Sequence, residues 1–354
     1  MQLAEFDYAL PEEAIAQHPV EPRDAARLLV DGGTGAAPSH RTVADLPELV
    51  RPGDVIVVNT TRVLPARLLL RKATGGAAEV LLLERAGEAT WEALVRPGRR
   101  LPPGTLLTPA DGPVARAGGP PDDDGAGKFA VEVGEVVGDD GRRLVHLHLD
   151  GAEDELAALE RHGAVPLPPY ITAPLADAER YQTVYADRPG SVAAPTAGLH
   201  LTEAVLDGCR AVGADVVPVE LLVGLGTFRP IATERVEDHV MHAERYVVPE
   251  ATQAAVDGAR RVVAVGTTAV RALESAAATG RPTGRTDLFI RRPYPWRVVD
   301  VLLTNFHMPR SSLLVLIDAF VGPRWRDLYA TALDGGYRFL SFGDAMLLTR
   351  TEGR

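Results

Sequence analysis

An α/β fold interrupted by an all-β insertion is predicted by three observations. Across most of the chain, short apolar runs alternate with amphipathic stretches of helical period, as strands and helices in succession do. Between about Leu68 and Asp150 that alternation stops, and runs such as ARLLL, AEVLLLER, TWEALV, FAVEVGEVV and RLVHLHL are separated only by Gly, Pro and Asp turns. The 354 residues, 46% of them apolar, suffice for two cores. The expected organisation is therefore a discontinuous α/β main domain, 1–67 and 151–354, with a small all-β barrel inserted at 68–150.

In chain order, 53–59 (GDVIVVN) reads as a strand after a turn. Within the insertion, 115–127 contains GGPPDDDG and reads as a hairpin tip. The segments 153–162 and 202–212 read as helices, and 214–223 as an apolar strand. A helix over 251–260 leads into a strand over 261–266, which a second helix follows from Thr268 to about Ala278. The run 298–303 is a further apolar strand, and no internal repeat of roughly 20–50 residues is present.

Composition narrows the function classes. Acidic residues outnumber basic ones 48 to 37, which excludes a broad positive field for nucleic acid. The densest basic stretches, Arg96-Pro-Gly-Arg-Arg100 and Arg291-Arg292, are expected to be solvated surface. The opening MQLAEFD lacks a basic start and an apolar run, and no window reaches the roughly 20 apolar residues of a membrane span, so a cytoplasmic location is expected. A lone cysteine, Cys209, excludes an internal disulfide and a thiolate-rich metal site.

Four stretches have the residue types that chemistry needs. In VAVGTTAVRALESAA, 263–277, a strand ends at Gly266 and a helix begins near Thr267 and Thr268, whose hydroxyls either cap the helix or face a ligand. Arg271 and Glu274, three apart, share a face of that helix. In ELLVGLGTFRP, 220–230, Gly224 and Gly226 lack the third glycine of a dinucleotide fingerprint, and Pro230 blocks the helix that should follow. With Thr227 and Phe228 they suggest close approach to a flat ligand, or a tight turn. SVAAPTAGLH, 191–200, has only small residues and Leu199 before His200; it is a buried turn or a wall where backbone meets a ligand. Finally, His242 and Glu244 in EDHVMHAE, and Asn305 and His307 in TNFHMP, are alternate residues that point one way on a strand, which makes His242 and Glu244 a candidate acid–base pair. His239-x-x-His242 lacks a catalytic-zinc context, so no metal is expected. Neither a G-x-S-x-G elbow nor a P-loop occurs.

Together these blocks resemble the S-adenosylmethionine:tRNA ribosyltransferase-isomerase family of the queuosine pathway. The likeness runs through FDYALPEEAIAQHPVEPRDAARLLV, VNTTRVLPARL, RYQTVYA, GSVAAPTAGLHLT, VGLGTFRPI, DHVMHAERY, AVGTTAVRALESAA, VVDVLLTNFHMPRSSLLVLIDAFVG and YRFLSFGDAMLL. It implies an α/β domain with an inserted β-barrel. The implied reaction transfers the ribosyl part of S-adenosylmethionine to 7-aminomethyl-7-deazaguanine at the tRNA wobble position and isomerises it to epoxyqueuosine, with release of adenine and methionine. No cofactor beyond that co-substrate is implied, the tRNA anticodon loop is the partner, and a monomer is favoured.

By the same resemblance, His200, His242, Glu244, Glu274 and His307 are the catalytic candidates. Substrate binding is carried over to Arg23, Asp24, Asn59 and Arg62, to Pro195, Thr196, Ala197 and Gly198, and to Gly224, Gly226, Thr227 and Phe228. It extends to Gly266, Thr267, Thr268 and Arg271, and to Asn305 and Asp344. SVAAPTAGLH then reads as a wall against the nucleoside. The chain departs from the family pattern at Thr60 (usually Asp), Ala173 (usually Arg), Glu220 and Leu222 (usually T-L-H) and Arg292 (usually P-G-Y). These changes leave a second reading, a small-molecule acceptor or lyase chemistry, and a third, a catalytically silent binding protein.

Overall fold

The computed structural model describes residues 1–33, 35–110, 129–138, 141–149, 154–224 and 230–351. The expected hairpin tip at 115–127 lies outside the described residues. In chain order the elements begin with β1 (Arg27–Val30), β2 (Ser39–Thr42), α1 (Leu46–Leu49), β3 (Asp54–Asn59) and β4 (Thr61–Val63). Six strands follow: β5 (Arg67–Lys72), β6 (Ala77–Gly87), β7 (Thr90–Arg96), β8 (Thr105–Pro109), β9 (Ala130–Val137) and β10 (Arg142–His148). Next come α2 (Glu155–His162), β11 (Gly163–Ala164), β12 (Arg188–Ser191), α3 (Glu203–Val212), β13 (Asp215–Leu221) and β14 (Glu244–Val247). The chain continues through α4 (Glu250–Gly258), β15 (Arg261–Val265), α5 (Gly266–Thr279), β16 (Thr283–Thr286) and β17 (Val301–Asn305), and ends with α6 (Ser312–Val321), α7 (Trp325–Asp334) and β18 (Ala345–Thr349).

Strands β5-β6-β7-β10-β9-β8 form an antiparallel sheet that closes where β8 pairs back onto β5. Closure leaves no edge, and it requires side chains to alternate between inside and outside. Leu68 and Leu70 of β5, Val80 and Leu82 of β6, and Trp91 and Ala93 of β7 fill the interior. Its core also takes in Leu64, Ala66 and Val192, and Ala158 and Leu159 of α2.

The larger sheet has the order β16-β14-β13-β3-β15-β17-β18-β1-β2. Its central strands β13, β3, β15 and β17 are parallel. Period-two alternation serves both faces: Val55 and Val57 pack with Val256, Val270, Leu273 and Ile317, whereas Ile56 and Val58 pack with Leu46, Val205, Leu206 and Cys209. Because β13 and β15 flank β3 on opposite sides, the chain reverses its direction of winding there. Such a switch opens a crevice at the carboxyl ends of the strands, where ligands of open α/β sheets bind. Thr60, Leu222, Gly266 and Phe306 stand at those ends.

Several expected boundaries shift by a few residues, and two do so for an evident local reason. Strand β17 starts at Val301 rather than 298, since the amides of Arg297, Val298 and Val299 donate to the Glu274 carboxylate instead of a ladder. Helix α5 starts at Gly266, whose φ of +83° turns strand directly into helix. Thr267 and Thr268 therefore sit inside the first turn and do not cap it. No described helix is long and apolar enough to cross a membrane.

Candidate active site

The segment Thr196–His200 forms a 3-10 turn against the carboxyl end of β17 and against α5. Gly198, whose amide bonds the Pro195 carbonyl at 2.8 Å, must lack a side chain because a β-carbon would collide with the Tyr185 hydroxyl. Ala197 approaches Gly266 so closely that a β-carbon there would lie 3.6 Å from its own. The wall and the α5 start thus adjoin. At the end of the turn, buried His200 accepts at Nε2 from Asn305 Nδ2 at 2.9 Å, while Asn305 Oδ1 accepts from Thr196 Oγ1 at 2.8 Å. Burial first, and then Arg338, Arg180 and Arg23, depress the His200 pKa to about 3.

His307 is buried two residues beyond Asn305. Its Nε2 lies 2.9 Å from Thr304 Oγ1, its amide donates to the Tyr329 hydroxyl at 2.9 Å, and burial depresses its pKa to about 3. Thr196, Asn305 and His307 line one pocket of about 40 Å³, together with Tyr170, Ser341 and Leu313. Leu313 also lines a pocket of about 20 Å³ in which Thr267, Thr268 and Arg271 meet.

The third cavity is much larger. A cleft of about 450 Å³ lies between the barrel and the large sheet, lined from the barrel side by Glu84, Trp91 and Arg142, and from the sheet side by Leu222, Gly224, His242 and Glu244. Glu244 is buried, accepts from the Gly224 amide at 3.0 Å and forms an ion pair with buried Arg271. Arg271 in turn donates to the carbonyls of Leu288 at 3.2 Å and Thr286 at 3.3 Å. His242 is exposed two residues before β14. His242 and Glu244 thus share the cleft, as their spacing predicts, although only Glu244 is in the strand.

Other candidates have local work. Glu274 is fully buried and accepts from the amides of Arg297, Val298 and Val299 and from the Tyr294 hydroxyl, away from Arg271. Asp344 accepts from the amides of Arg27 at 3.0 Å and Arg338 at 2.8 Å. Asn59 joins β3 to β13 by bonding both the amide and the carbonyl of Leu221. Asp24 accepts from Thr202 Oγ1 at 2.9 Å, Arg23 donates to the carbonyls of Gln182, Glu179 and Leu199, and Arg62 pairs with Glu179. Gly226, Thr227 and Phe228 lie outside the described residues. Among the described residues no group of three His, Cys, Asp or Glu could hold a metal.

Three of the departures gather in one place. The Thr60 carbonyl accepts from the amides of Asp187 and Arg188, Glu220 lies 3.7 Å from Arg188, and Leu222 packs against Gly190. Ala173 stands elsewhere, with its amide on Gln17. Arg292, expected on a solvated surface, grips buried Asp318 through two hydrogen bonds of 2.6 and 3.0 Å. Not expected from sequence is the lining that the barrel gives the cleft, chiefly Trp91 and Arg142, with Glu155 at the start of α2. No local motif marks them, because the relation is made by the packing of the barrel on the sheet.

A family model described as "Queuosine biosynthesis protein" matches residues 3–348. A Rubrobacter xylanophilus protein named S-adenosylmethionine:tRNA ribosyltransferase-isomerase is 50% identical over 350 residues, covering 98% of this chain and 98% of that protein. One from Thermus thermophilus with the same name is 51% identical over 359 residues, covering 98% and 99%. The crystal structure of a Thermotoga maritima S-adenosylmethionine tRNA ribosyltransferase aligns with a TM-score of 0.53 at 34% identity, over 97% of this chain and 99% of that one. With likeness of this extent in both sequence and fold, the chain belongs to the queuosine biosynthesis protein family.

Proposed function

We propose that this chain transfers the ribosyl part of S-adenosylmethionine to the 7-aminomethyl-7-deazaguanine base of tRNA and isomerises it, releasing adenine and methionine. The observation that carries this reading is identity of about half over nearly the full length of relatives named for that activity. Their names specify tRNA, so the small-molecule and lyase readings lose ground despite the departures at Thr60 and Leu222.

The chemistry needs a base to take a proton from the 5′ carbon that the sulfonium acidifies, a donor to the departing adenine, and shelter from water. The cleft of about 450 Å³ has room for rings. Its wall holds exposed His242 beside Glu244, and imidazole is the commonest general base. We assign the base to His242, with the Glu244–Arg271 pair fixing the wall behind it. Buried His200 and His307, with pKa values near 3, stay neutral at ordinary pH and act as hydrogen-bonding supports. The barrel, as an inserted domain at 68–150, supplies the opposite wall for the tRNA anticodon loop.

The test is to incubate the chain with S-adenosylmethionine, with and without tRNA bearing the aminomethyl base, and to measure adenine and methionine. Release only with that tRNA is expected. Release without it would point to lyase chemistry or another acceptor, and no release in either case to a silent binding protein.

A further inference from the structure

Two helix N-termini converge on the pocket of about 20 Å³. Thr267 and Thr268 come from the first turn of α5, which has 14 residues, and Ser312 and Leu313 from the first turn of α6, which has 10. First-turn amides have no partner within their helix, and the two ends add partial positive charge. Neither first turn has an acidic side chain to offset it. Ser311 caps α6 by accepting from Leu314, but α5 has no side-chain cap.

An independent observation points to an occupant. Thr268 is more than nine-tenths buried, and its Oγ1 has no hydrogen-bond partner among the described residues. A buried hydroxyl left unpaired is costly, so a ligand that pairs it gains accordingly. Arg271 also lines the pocket, but Glu244 matches its charge, so the attraction for an anion comes from the helix ends and hydroxyls.

Size decides which anion. A cavity of about 20 Å³ is little more than the space one water needs, which suits a carboxylate and excludes a ring. Met241, Leu288, Phe289 and Leu316 complete the lining and suit a methylene chain. Met241 and Arg271 line this pocket while His242 and Glu244 line the cleft, and Arg271 pairs with Glu244, so the two cavities are neighbours. We infer that the α5 and α6 N-termini, with the Thr268 hydroxyl, bind the α-carboxylate of the amino-acid end of the sulfonium donor. The nucleoside then lies in the cleft, with its sulfonium beside Glu244. This subsite rests on the proposed function and specifies how its donor is held.

Calorimetry on the full chain tests it with three probes: S-adenosylmethionine, its decarboxylated analogue, and 5′-methylthioadenosine, which lacks the amino-acid end. On the unaltered chain, the decarboxylated analogue should bind at least about tenfold more weakly than S-adenosylmethionine, the loss expected for hydrogen bonds to a charged group. Thr268→Val should weaken S-adenosylmethionine by about tenfold or more and methylthioadenosine by less than about twofold, and Thr268→Ser should restore binding. Equal affinity for S-adenosylmethionine and the decarboxylated analogue, or equal weakening of both nucleosides by Thr268→Val, overturns the subsite and leaves the proposed function standing. Failure of the unaltered chain to bind any probe overturns both. The comparison on the unaltered chain decides the matter even where a variant fails to fold.

Discussion

The side-chain amide of Asn305 donates to His200 Nε2 at 2.9 Å and to the Leu340 carbonyl at 3.1 Å, while its oxygen accepts from Thr196 at 2.8 Å. The carbonyl partner fixes which end of the amide carries hydrogen, so His200 Nε2 must be the acceptor and Nδ1 must hold the proton. One residue at the end of β17 thereby sets the tautomer of the histidine that closes the wall.

Asn305→Ala should therefore destabilise the fold by about 1–3 kcal/mol, because it leaves a buried ring nitrogen without its donor and the Thr196 hydroxyl without its acceptor. Asn305→Asp should instead raise the pKa of His200 by placing a carboxylate against it. Denaturant unfolding checks the first, and NMR titration of the imidazole the second. A His200 pKa unchanged in the Asp variant would show that this contact does not govern the ring.

Glu274 tests the separation of support from chemistry. Its carboxylate accepts from three backbone amides and a tyrosine hydroxyl, which holds 297–299 out of a ladder and delays the start of β17. Glu274→Gln turns an amide group toward these donors and should cost about 2–3 kcal/mol. Turnover per folded molecule should stay within about twofold, since a support that does not touch substrate takes no part in proton transfer. A hundredfold loss of turnover in fully folded protein would return Glu274 to the catalytic set.

The Glu244–Arg271 pair is buried on both sides, so removing one partner strands the other charge. Arg271→Leu should destabilise by about 3–5 kcal/mol. Arg271→Lys should recover only part of this, because an ammonium does not reproduce the fork that also serves the Leu288 and Thr286 carbonyls. Thermal unfolding of the three proteins gives the order; a fully stable Arg271→Leu chain would contradict it.

Much of this architecture is legible in sequence, and the misses have physical causes. The barrel strands are readable because half-buried antiparallel strands alternate visibly, as β5, β6 and β7 do. Helix α6 is not, because SLLVLIDAFV is buried on nearly every side and shows no amphipathic period. The partners of Arg271 and Glu274 are equally hidden. Three-residue spacing suggests that they face one another, yet Arg271 bonds Glu244 and the 286–288 segment, while Glu274 bonds 297–299. Small residues and histidines mark the wall in sequence, but the cleft is assembled from segments more than a hundred residues apart, such as Trp91 and His242.

Acid should destabilise the fold through two histidines. His200 and His307 have folded pKa values near 3, well below the ordinary 6.5, so the unfolded chain binds protons that the folded chain refuses between those limits. Stability then rises with pH across the window and falls as pH drops from about 6.5 toward 3. Each histidine contributes about 1.4 kcal/mol per pH unit within it. Unfolding free energies measured at several values from pH 7 to 5 should show this slope, and His307→Gln should remove about half of the histidine contribution. An unchanged slope in that variant would mean that His307 takes up protons as readily in the folded chain as in the unfolded one.

The cleft gives the sharpest test of where the tRNA base is read. Leu222 stands at the carboxyl end of β13, lines the cleft and packs against Gly190, whose φ of +148° brings backbone to the same wall. An indole at this position would project into the cleft and occupy space a ring of the acceptor needs, while the small pocket at the α5 and α6 ends remains untouched. Leu222→Trp should therefore reduce tRNA-dependent release of adenine by about a hundredfold, the size of effect that misplacing a reactant produces. Affinity for 5′-methylthioadenosine, if the donor occupies a separate part of the cleft, should fall by less than about threefold, a change worth under 1 kcal/mol. Parallel loss of both would mean that donor and acceptor rings share this wall, and unchanged turnover would move the acceptor out of the cleft altogether.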